Sequence, residues 1–547
     1  MRRSGVFSVV SLVTFLSLVS SQKPSKRLLF VNAAEEEESA NGAKKEVQSA
    51  SDFARTLPRW DLDRHFPYTS IEDEALDEEL AEIERRAKVF METYKGRLHE
   101  KLYEAIREYE EIEEALGQGR CYSYLVESVK KTDTVVVKRR SHLSAKQSRI
   151  SADYLTFFDL ELAELNEKSL QDQLKRHHGL RHYKPYIDLT RKRRPHLLSE
   201  EVERALDVRR PWASSLPVVD YFQQRIAESR FKMPGENEEV NLEVLLTKTV
   251  SSDPHTRRLA LKTVNEGLKT NAITNFAALA LNVVAGSWHI EMKERNYRTM
   301  RSRRNESNNV PDEVVDALLA AVRTTGVDLT KKYYRLKKSI LKKVSGITEF
   351  TWADRNAPLG LESDSRTFSF EEAKRIVEEG YRKFSPTMAD MFLKFVEEKR
   401  IDMPAVHGKR TGAFCHSCTT KLGPFQCLNY TGNRRDVETL AHESGHACHA
   451  VLASPQGYLQ FHPPLTQAET ASTFGEMIVF RDLLAKSPND EQRLSMLMSK
   501  LDSMVNTVVR QCSFDFFEEL VHTARGNGTL GDDEFPKLWM HATMISL

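Results

Sequence analysis

The chain has 547 residues, of which 40% are hydrophobic and 29% are charged, and its formal net charge is +1. This length can bury a large core and can hold more than one domain. The balanced charge excludes the strongly basic surface that drives general nucleic-acid binding, so we expect no nucleic-acid partner. Glycine (23) and proline (19) are scarce, which favours helices over an all-β architecture.

The first residues have the layout of a targeting segment. Arg2 and Arg3 precede an apolar run from Gly5 to Ser21 that ends in small residues. This pattern is typical of a secretory signal peptide in residues 1–21, with a signal anchor or an incorrectly assigned start as alternatives. We expect a secreted, lumenal or plastid protein that uses the secretory route, with the mitochondrion as the alternative. No later segment is predicted to span a membrane.

The next segments differ in charge and periodicity. Residues 22–57 are polar and contain four consecutive glutamates, so we predict a flexible linker or a second targeting segment and no part of the core. From Ile71 to Leu116, apolar residues recur at three- and four-residue intervals among paired charges, which predicts long amphipathic helices. A second helical block is predicted over about residues 151–178. The basic, aromatic stretch 175–196 could form a nucleic-acid patch, but we favour a solvated connection between helices, because nearby acidic residues cancel its charge.

Helical patterns also dominate the rest of the chain. In LLSEEVERAL, Ser199 is followed by acidic residues, which predicts a helix start. From Leu242 onward we predict three short helices, with breaks at Ser251–Pro254 and near Asn271. DEVVDALLAAVRTTG and FEEAKRIVEEGYRKF add two more. Residues 411–432 contain glycine, proline, threonine and aromatic residues with little helix propensity, so we predict two or three short strands there.

The six cysteines are too few and too widely spaced to form a disulfide framework. Two of them, Cys415 and Cys418, form the sequence CHSC, which has the spacing of half a zinc site or of a redox motif. No second CxxC sequence is present to complete a four-cysteine site. We therefore interpret both as structural cysteines.

The sequence AHESGHACHA contains two histidines four residues apart, His442 and His446. On a helix they share one face, with Cβ atoms about 5–6 Å apart, so both imidazoles can bind one metal ion. Glu443 follows the first histidine and would lie beside the ion. Its carboxylate can take a proton from an attacking water and pass it to the leaving amine.

A hydrolytic zinc site needs a third protein ligand and one open position. Glu469 follows His446 by 23 residues, which leaves room for a loop and a returning helix. Glu476 shares a helix face with Glu469 and suits a hydrogen bond to a ligand histidine. His462 and His449 are rival ligands, and we interpret His449 as a core or supporting histidine. The pattern predicts one zinc ion per chain.

LNYTGNRRDVETLAHESGHACHAVLA followed by QAETASTFGE resembles the zinc metallopeptidases of the oligoendopeptidase F and thimet-oligopeptidase type. The similarity covers about residues 58–547 and includes WDLDRHFP, ADYLTFFDLELAELNE, RRPHLLSEEVE, WADRNAPLG, RIDMPAVHGKRTGAFC and VVRQCSFDFFEELVH. The resemblance implies a mainly α, two-lobed fold with a deep central channel and a small β-sheet beside the zinc. It also implies an N-terminal helical domain, 58–230, and a catalytic domain, 231–547.

Site residues follow from the same resemblance. Zinc would be held by His442, His446 and Glu469, with Glu443 as general base and acid. Short unfolded oligopeptides would be cut at internal bonds. An edge strand that pairs with the substrate would include Gly412, Ala413 and Phe414. Two further residues, Glu476 and Asp436, would support the ligands through hydrogen bonds.

The resembled family continues beyond the counterpart of WMHATMISL with a segment that contains histidine and tyrosine and stabilises an oxyanion. This sequence stops at Leu547, so we expect a truncated C-terminal end. The alternative function is therefore a catalytically impaired homologue that binds zinc or peptide. The sequence leaves the cleavage-site preference and the oligomeric state open.

Overall fold

The computed structural model describes residues 50–360 and 366–546. The predicted signal peptide and most of the predicted linker lie outside these residues. The linker prediction extends too far, because Ala50–Arg55 forms helix α1 and Leu57 is buried. Phe53 and Leu57 both pack into an apolar core, which explains why the end of this polar segment is folded.

The N-terminal region is helical, as the periodicity of Ile71 to Leu116 predicts. A π-helical turn, Ser151–Leu155, joins the helix that ends at Ile150 to the one that begins at Thr156. The helices are α2 (Ala75–Tyr94), α3 (Leu98–Val129), α4 (Thr134–Ile150), α5 (Thr156–Glu164), α6 (Glu167–Arg176), α7 (Lys184–Lys192), α8 (Glu200–Ala213) and α9 (Leu216–Glu228).

One prediction in this region is wrong. The stretch 175–196 is largely helical, with a 3₁₀ turn at His178–Tyr183 followed by α7. Leu180 and Ile187 are buried in the N-terminal core, and their apolar side chains outweigh the basic composition that suggested a solvated connection. The predicted helix start at Ser199 is confirmed, since its hydroxyl accepts the Val202 N–H at the beginning of α8.

The remaining helices include those predicted from Leu242 onward. The three helices predicted from Leu242 are confirmed, as are the two in DEVVDALLAAVRTTG and FEEAKRIVEEGYRKF. They are α10 (Leu242–Lys248), α11 (Pro254–Thr270), α12 (Ile273–Glu294), α13 (Ser302–Ser307), α14 (Asp312–Ala321), α15 (Val327–Ser345), α16 (Phe370–Phe384), α17 (Pro386–Glu397), α18 (Arg434–Ala453), α19 (Leu465–Ala485), α20 (Asp490–Val505), α21 (Gln511–Arg525) and α22 (Glu534–Ser546).

Helix α12 corrects the expectation that no later segment is long and apolar enough to span a membrane. Among the described residues, Ile273–Glu294 is the one helix that meets both criteria. Its apolar residues Ile273, Ala277, Leu281 and Ala285 are buried in a core shared with neighbouring helices. Burial explains part of this composition, since 39% of the apolar window lies inside the protein.

A small sheet interrupts the helices, as predicted for residues 411–432. Its strands are β1 (Ile401–Pro404), β2 (Phe414–His416) and β3 (Phe425–Tyr430), in the order β1-β3-β2. The central strand β3 pairs in parallel with β1 and antiparallel with β2. Strand β1 was not predicted, because its four residues are all buried and lack the alternation that marks a half-exposed strand.

Separate apolar cores organise the chain. The first is built mainly from α2 to α7, and the second unites α9 to α12 with α14, α21 and α22. The third joins α16, α17 and α18 to the sheet. Because Phe425 belongs to the first core and Leu428 to the third, β3 connects the N-terminal helices to α18. The mainly α fold with a small sheet is therefore confirmed.

A disulfide joins Cys121 of α3 to Cys418, which follows β2, with Cα atoms 5.4 Å apart. Cys418 therefore has a structural role, as interpreted, although the sequence did not indicate its bridge to Cys121. The two residues are 297 positions apart in sequence, so only the packing of α3 against the sheet reveals the pair. Cys415 remains a free thiol.

Candidate metal centre

Helix α18 begins at a strong cap. The Asn433 side chain accepts the Asp436 N–H, and the Asp436 carboxylate accepts the N–H groups of Thr431, Gly432 and Asn433. Asp436 was predicted to support a metal ligand, and this assignment is wrong. It lies in the first turn of α18, six residues before His442, where a carboxylate satisfies open N–H groups.

Helices α18 and α19 cross in direct backbone contact. A Cβ atom at Gly445 would lie 2.8 Å from the Ala471 carbonyl oxygen, and one at Gly475 would lie 3.1 Å from the Ala441 carbonyl oxygen. A larger residue at either position therefore has no space. The crossing brings the face of α18 that carries both histidines against the face of α19 that carries Glu469.

The three predicted ligands meet at this crossing. Glu469 Oε2 lies 3.3 Å from His442 Nε2 and 3.6 Å from His446 Nε2. Zinc bonds of about 2.0–2.1 Å in a tetrahedral arrangement place neighbouring donor atoms roughly 3.3 Å apart. The observed spacing fits such an ion, and two imidazoles with one carboxylate form a typical donor set for hydrolytic zinc. His449 and His462 are not part of this group in the described chain.

Glu476 contacts His442, the first of the three predicted ligands. Its Oε2 lies 3.3 Å from His442 Nδ1, so the imidazole donates this proton and leaves Nε2 available for a metal. On its other side, Lys500 of α20 donates to Glu476 Oε1 at 2.5 Å. The sequence did not identify Lys500, because the lysine is 24 residues beyond Glu476 and on another helix.

Replacing Lys500 with methionine is expected to weaken zinc binding. Without the Lys500 ammonium, the Glu476 carboxylate loses the donor that orients it toward His442. We expect the zinc dissociation constant to rise about 10- to 100-fold, the range typical for outer partners of metal ligands. Competition with a chromophoric chelator measures this constant. Lys500→Arg keeps a donor and should stay near the wild-type value, and equal affinities in all three proteins would contradict the role.

The charges around the donors favour a cation. Burial opposes protonation of His442, but the carboxylates of Glu469 and Glu476 outweigh it and raise the His442 pKa to about 10. Burial lowers the pKa of His446 to about 4. Burial also opposes ionisation of Glu469, yet its hydrogen bond with His442 keeps its pKa below the usual value. Acidic groups thus surround the two imidazoles, an arrangement that favours a divalent cation.

Glu443 is in the position expected of a base. It follows His442 on α18, is buried, and does not belong to the donor group. Burial raises its pKa to about 7, and the charge of His442 acts in the opposite direction. A carboxylate with a pKa near neutrality can both accept and return a proton.

The edge strand beside α18 begins two residues later than predicted. Phe414 belongs to β2, which packs against α18, whereas Gly412 and Ala413 precede the strand. Both backbone groups of Gly412 already have partners, since its N–H donates to Glu243 and its carbonyl accepts from Asn429. Within the described chain, β2 pairs with β3 alone, so its other edge can accept an extended peptide.

The sequence did not identify the residues that fix the helix crossing. The Tyr381 hydroxyl of α16 donates to the Ala441 carbonyl at 2.5 Å, next to Gly475. The one available signal was a glycine within each helical motif, at Gly445 and Gly475, because a glycine inside a helix usually has a packing reason.

Comparisons with known proteins agree with this geometry. A family profile described as Peptidase family M3 matches residues 248–543, more than half of the chain. A second profile, described as Oligopeptidase F, matches residues 161–211. Together these regions include the donor group and part of the N-terminal core.

Individual proteins are similar at lower identity. Group B oligopeptidase PepB of Streptococcus agalactiae is 24% identical over 440 residues, which cover 79% of this chain and 71% of PepB. Oligopeptidase PepF of Bacillus subtilis is 24% identical over 477 residues, which cover 86% of this chain and 69% of PepF. The oligoendopeptidase F structure from Enterococcus faecium has a TM-score of 0.59 at 19% identity, over 86% of this chain and 80% of that chain. At this identity, the structural comparison shows a common fold.

Proposed function

Because this chain belongs to peptidase family M3 and is a metalloendopeptidase, we propose that it uses one zinc ion to hydrolyse internal bonds of short, unfolded oligopeptides. The observation that carries this proposal is the convergence of His442, His446 and Glu469 at zinc-like spacing beside a buried Glu443. The names of the bacterial relatives, which describe oligopeptidases, support the substrate class.

Each residue has a distinct role in this proposal. When bound, zinc supplies Lewis-acid activation of the attacking water and the scissile carbonyl. His442, His446 and Glu469 hold the ion, and Glu476 fixes the orientation of His442. Glu443 takes a proton from the attacking water and returns it to the leaving amine.

The substrate is proposed to bind as an extended strand on the free edge of β2. Backbone hydrogen bonds to this edge are independent of side-chain identity, which suits an enzyme that accepts many peptide sequences. A deep channel between two lobes would admit short peptides and exclude folded proteins, which accounts for oligopeptide selectivity. Folded proteins lack the free extended segment that this binding mode needs.

Secretory targeting is also proposed. The apolar N-terminal segment supports it, as does the disulfide between Cys121 and Cys418, because disulfides persist in oxidising compartments and are rare in the cytosol. Residues 1–21 would be removed during this targeting, and domains 58–230 and 231–547 would form the mature enzyme.

Metal analysis combined with a peptidase assay tests the function. We expect one zinc per folded chain, and cleavage of a quenched oligopeptide that phenanthroline blocks and added zinc restores. Folded protein without stoichiometric zinc would overturn the proposal. Stoichiometric zinc without cleavage would favour the alternative, an impaired homologue that binds zinc or peptide.

A further inference from the structure

Strand β2 lies between two helices from different parts of the chain. Cys415 packs into the apolar core that β2 shares with α18. The neighbouring side chains point the other way, since the rings of Phe414 and His416 lie 5.3 Å and 5.1 Å from Tyr124 of α3. The position of the β2 edge relative to the metal centre therefore depends on α3 as well as on α18.

The disulfide is at the point where β2 ends. Cys121 and Cys418 are both fully buried. His416, the last residue of β2, accepts the Cys418 N–H at Nδ1 with a distance of 3.0 Å, and the same atom lies 3.7 Å from Cys121 Sγ. The covalent link thus fixes the end of the strand to α3, and the hydrogen bond ties Cys418 to the last residue of the strand.

The backbone at this point needs an external constraint. Cys418 has a φ of 55°, in the left-handed region that residues other than glycine rarely adopt. Such a conformation persists where the surrounding structure holds it in place. The bridge to Cys121 and the hydrogen bond from Cys418 to His416 are the contacts in position to do so.

Other contacts between α3 and this segment lie on either side of the bridge. Toward the start of α3, Glu114 accepts from the Thr420 N–H. Toward its end, the Ser128 carbonyl accepts the Arg410 N–H and the Lys131 N–H donates to Gly408. These hydrogen bonds bind the loops before and after β2, whereas the disulfide acts within two residues of the strand itself.

We propose that Cys121 and Cys418 are positioning residues for the peptide substrate. Their bridge holds β2 against α3 so that its free edge keeps the register and distance from the metal centre that an extended peptide needs. This inference rests on the proposed function. It assigns the bridge to substrate binding and leaves metal binding and proton transfer to the groups on α18 and α19.

Variants that remove the bridge separate these roles. In Cys121→Ser and Cys418→Ser we expect one zinc per chain, kcat near the wild-type value, and a KM for oligopeptides that rises about tenfold. The double variant should show the same increase as each single variant, since both residues act through one bond. Cys512→Ser is the matched control, because Cys512 is a buried free cysteine in the second core.

Peptide binding can also be measured without turnover. In a Glu443→Gln background, fluorescence anisotropy of an uncleaved peptide should show the same tenfold loss of affinity when Cys121 is replaced. Thiol titration of the denatured, unreduced wild-type protein should detect the four free cysteines.

The outcomes distinguish this inference from the function on which it rests. An active wild-type enzyme whose KM and peptide affinity are unchanged in Cys121→Ser and Cys418→Ser would overturn the positioning role alone. Six free thiols in the wild-type protein would also overturn it. A zinc-loaded wild-type chain without peptidase activity would overturn the proposed function, whereas the anisotropy measurement would still test the positioning role.

Discussion

Replacing Glu443 with glutamine is expected to lower kcat for oligopeptide hydrolysis by about 100- to 10,000-fold, the range for loss of a general base. Glutamine keeps the shape of the side chain but cannot accept the proton of the attacking water. Zinc should remain bound at one per chain, because Glu443 is not part of the donor group. Metal analysis and a quenched-peptide assay on the same protein sample measure both quantities.

A matched replacement on the same helix controls for this experiment. Glu438→Gln makes the same chemical change five residues earlier, where Glu438 lies 3.9 Å from Arg434 rather than in the donor group. We expect this variant to retain most of the activity. If Glu443→Gln kept kcat within tenfold of the wild type, another group would have to be the base.

The second large effect is expected from Gly445→Ala. At an ordinary helical position this change stabilises the fold by about 1 kcal/mol through helix propensity. Here the added Cβ atom would lie 2.8 Å from the Ala471 carbonyl oxygen and 3.0 Å from the Ser472 Cα. Both contacts are backbone atoms of α19, so the helices must move apart at an overpacking cost of about 1–3 kcal/mol.

The overpacking cost exceeds the propensity gain, so we expect a lower melting temperature and weaker zinc binding. Gly119→Ala on α3 is the matched control, because its nearest contact would be the end of the Gln147 side chain at 3.4 Å. Thermal unfolding with and without zinc measures both effects. A Gly445→Ala protein that gained stability and kept its zinc affinity would show that the crossing tolerates a methyl group.

The parts of the structure that depend on local periodicity could be predicted from the sequence. Helices α2 and α3 and the three helices from Leu242 follow from the spacing of apolar residues. The pair His442 and His446 follows from helix geometry. Glu469 and Glu476 were predictable because they share a face of the next helix.

Features that depend on long-range packing could not be predicted. Asp436 was assigned to the metal site, but it caps α18, since chain proximity does not fix side-chain direction. Lys500, β1 and the bridge from Cys121 to Cys418 bring together segments that are distant in sequence or lack a distinctive pattern. The linker and the stretch 175–196 were misjudged because polar composition concealed a few buried apolar residues.

The contact between Gly445 and α19 has a consequence for how this chain can vary in length. Each residue added to an α-helix rotates everything beyond it by about 100°. An insertion within α18 between His442 and Gly445 would turn one ligand away from the ion or move the glycine out of the crossing. The interval from His442 to Gly445, and that from Glu469 to Gly475, must therefore keep fixed lengths, and insertions or deletions can accumulate only outside them.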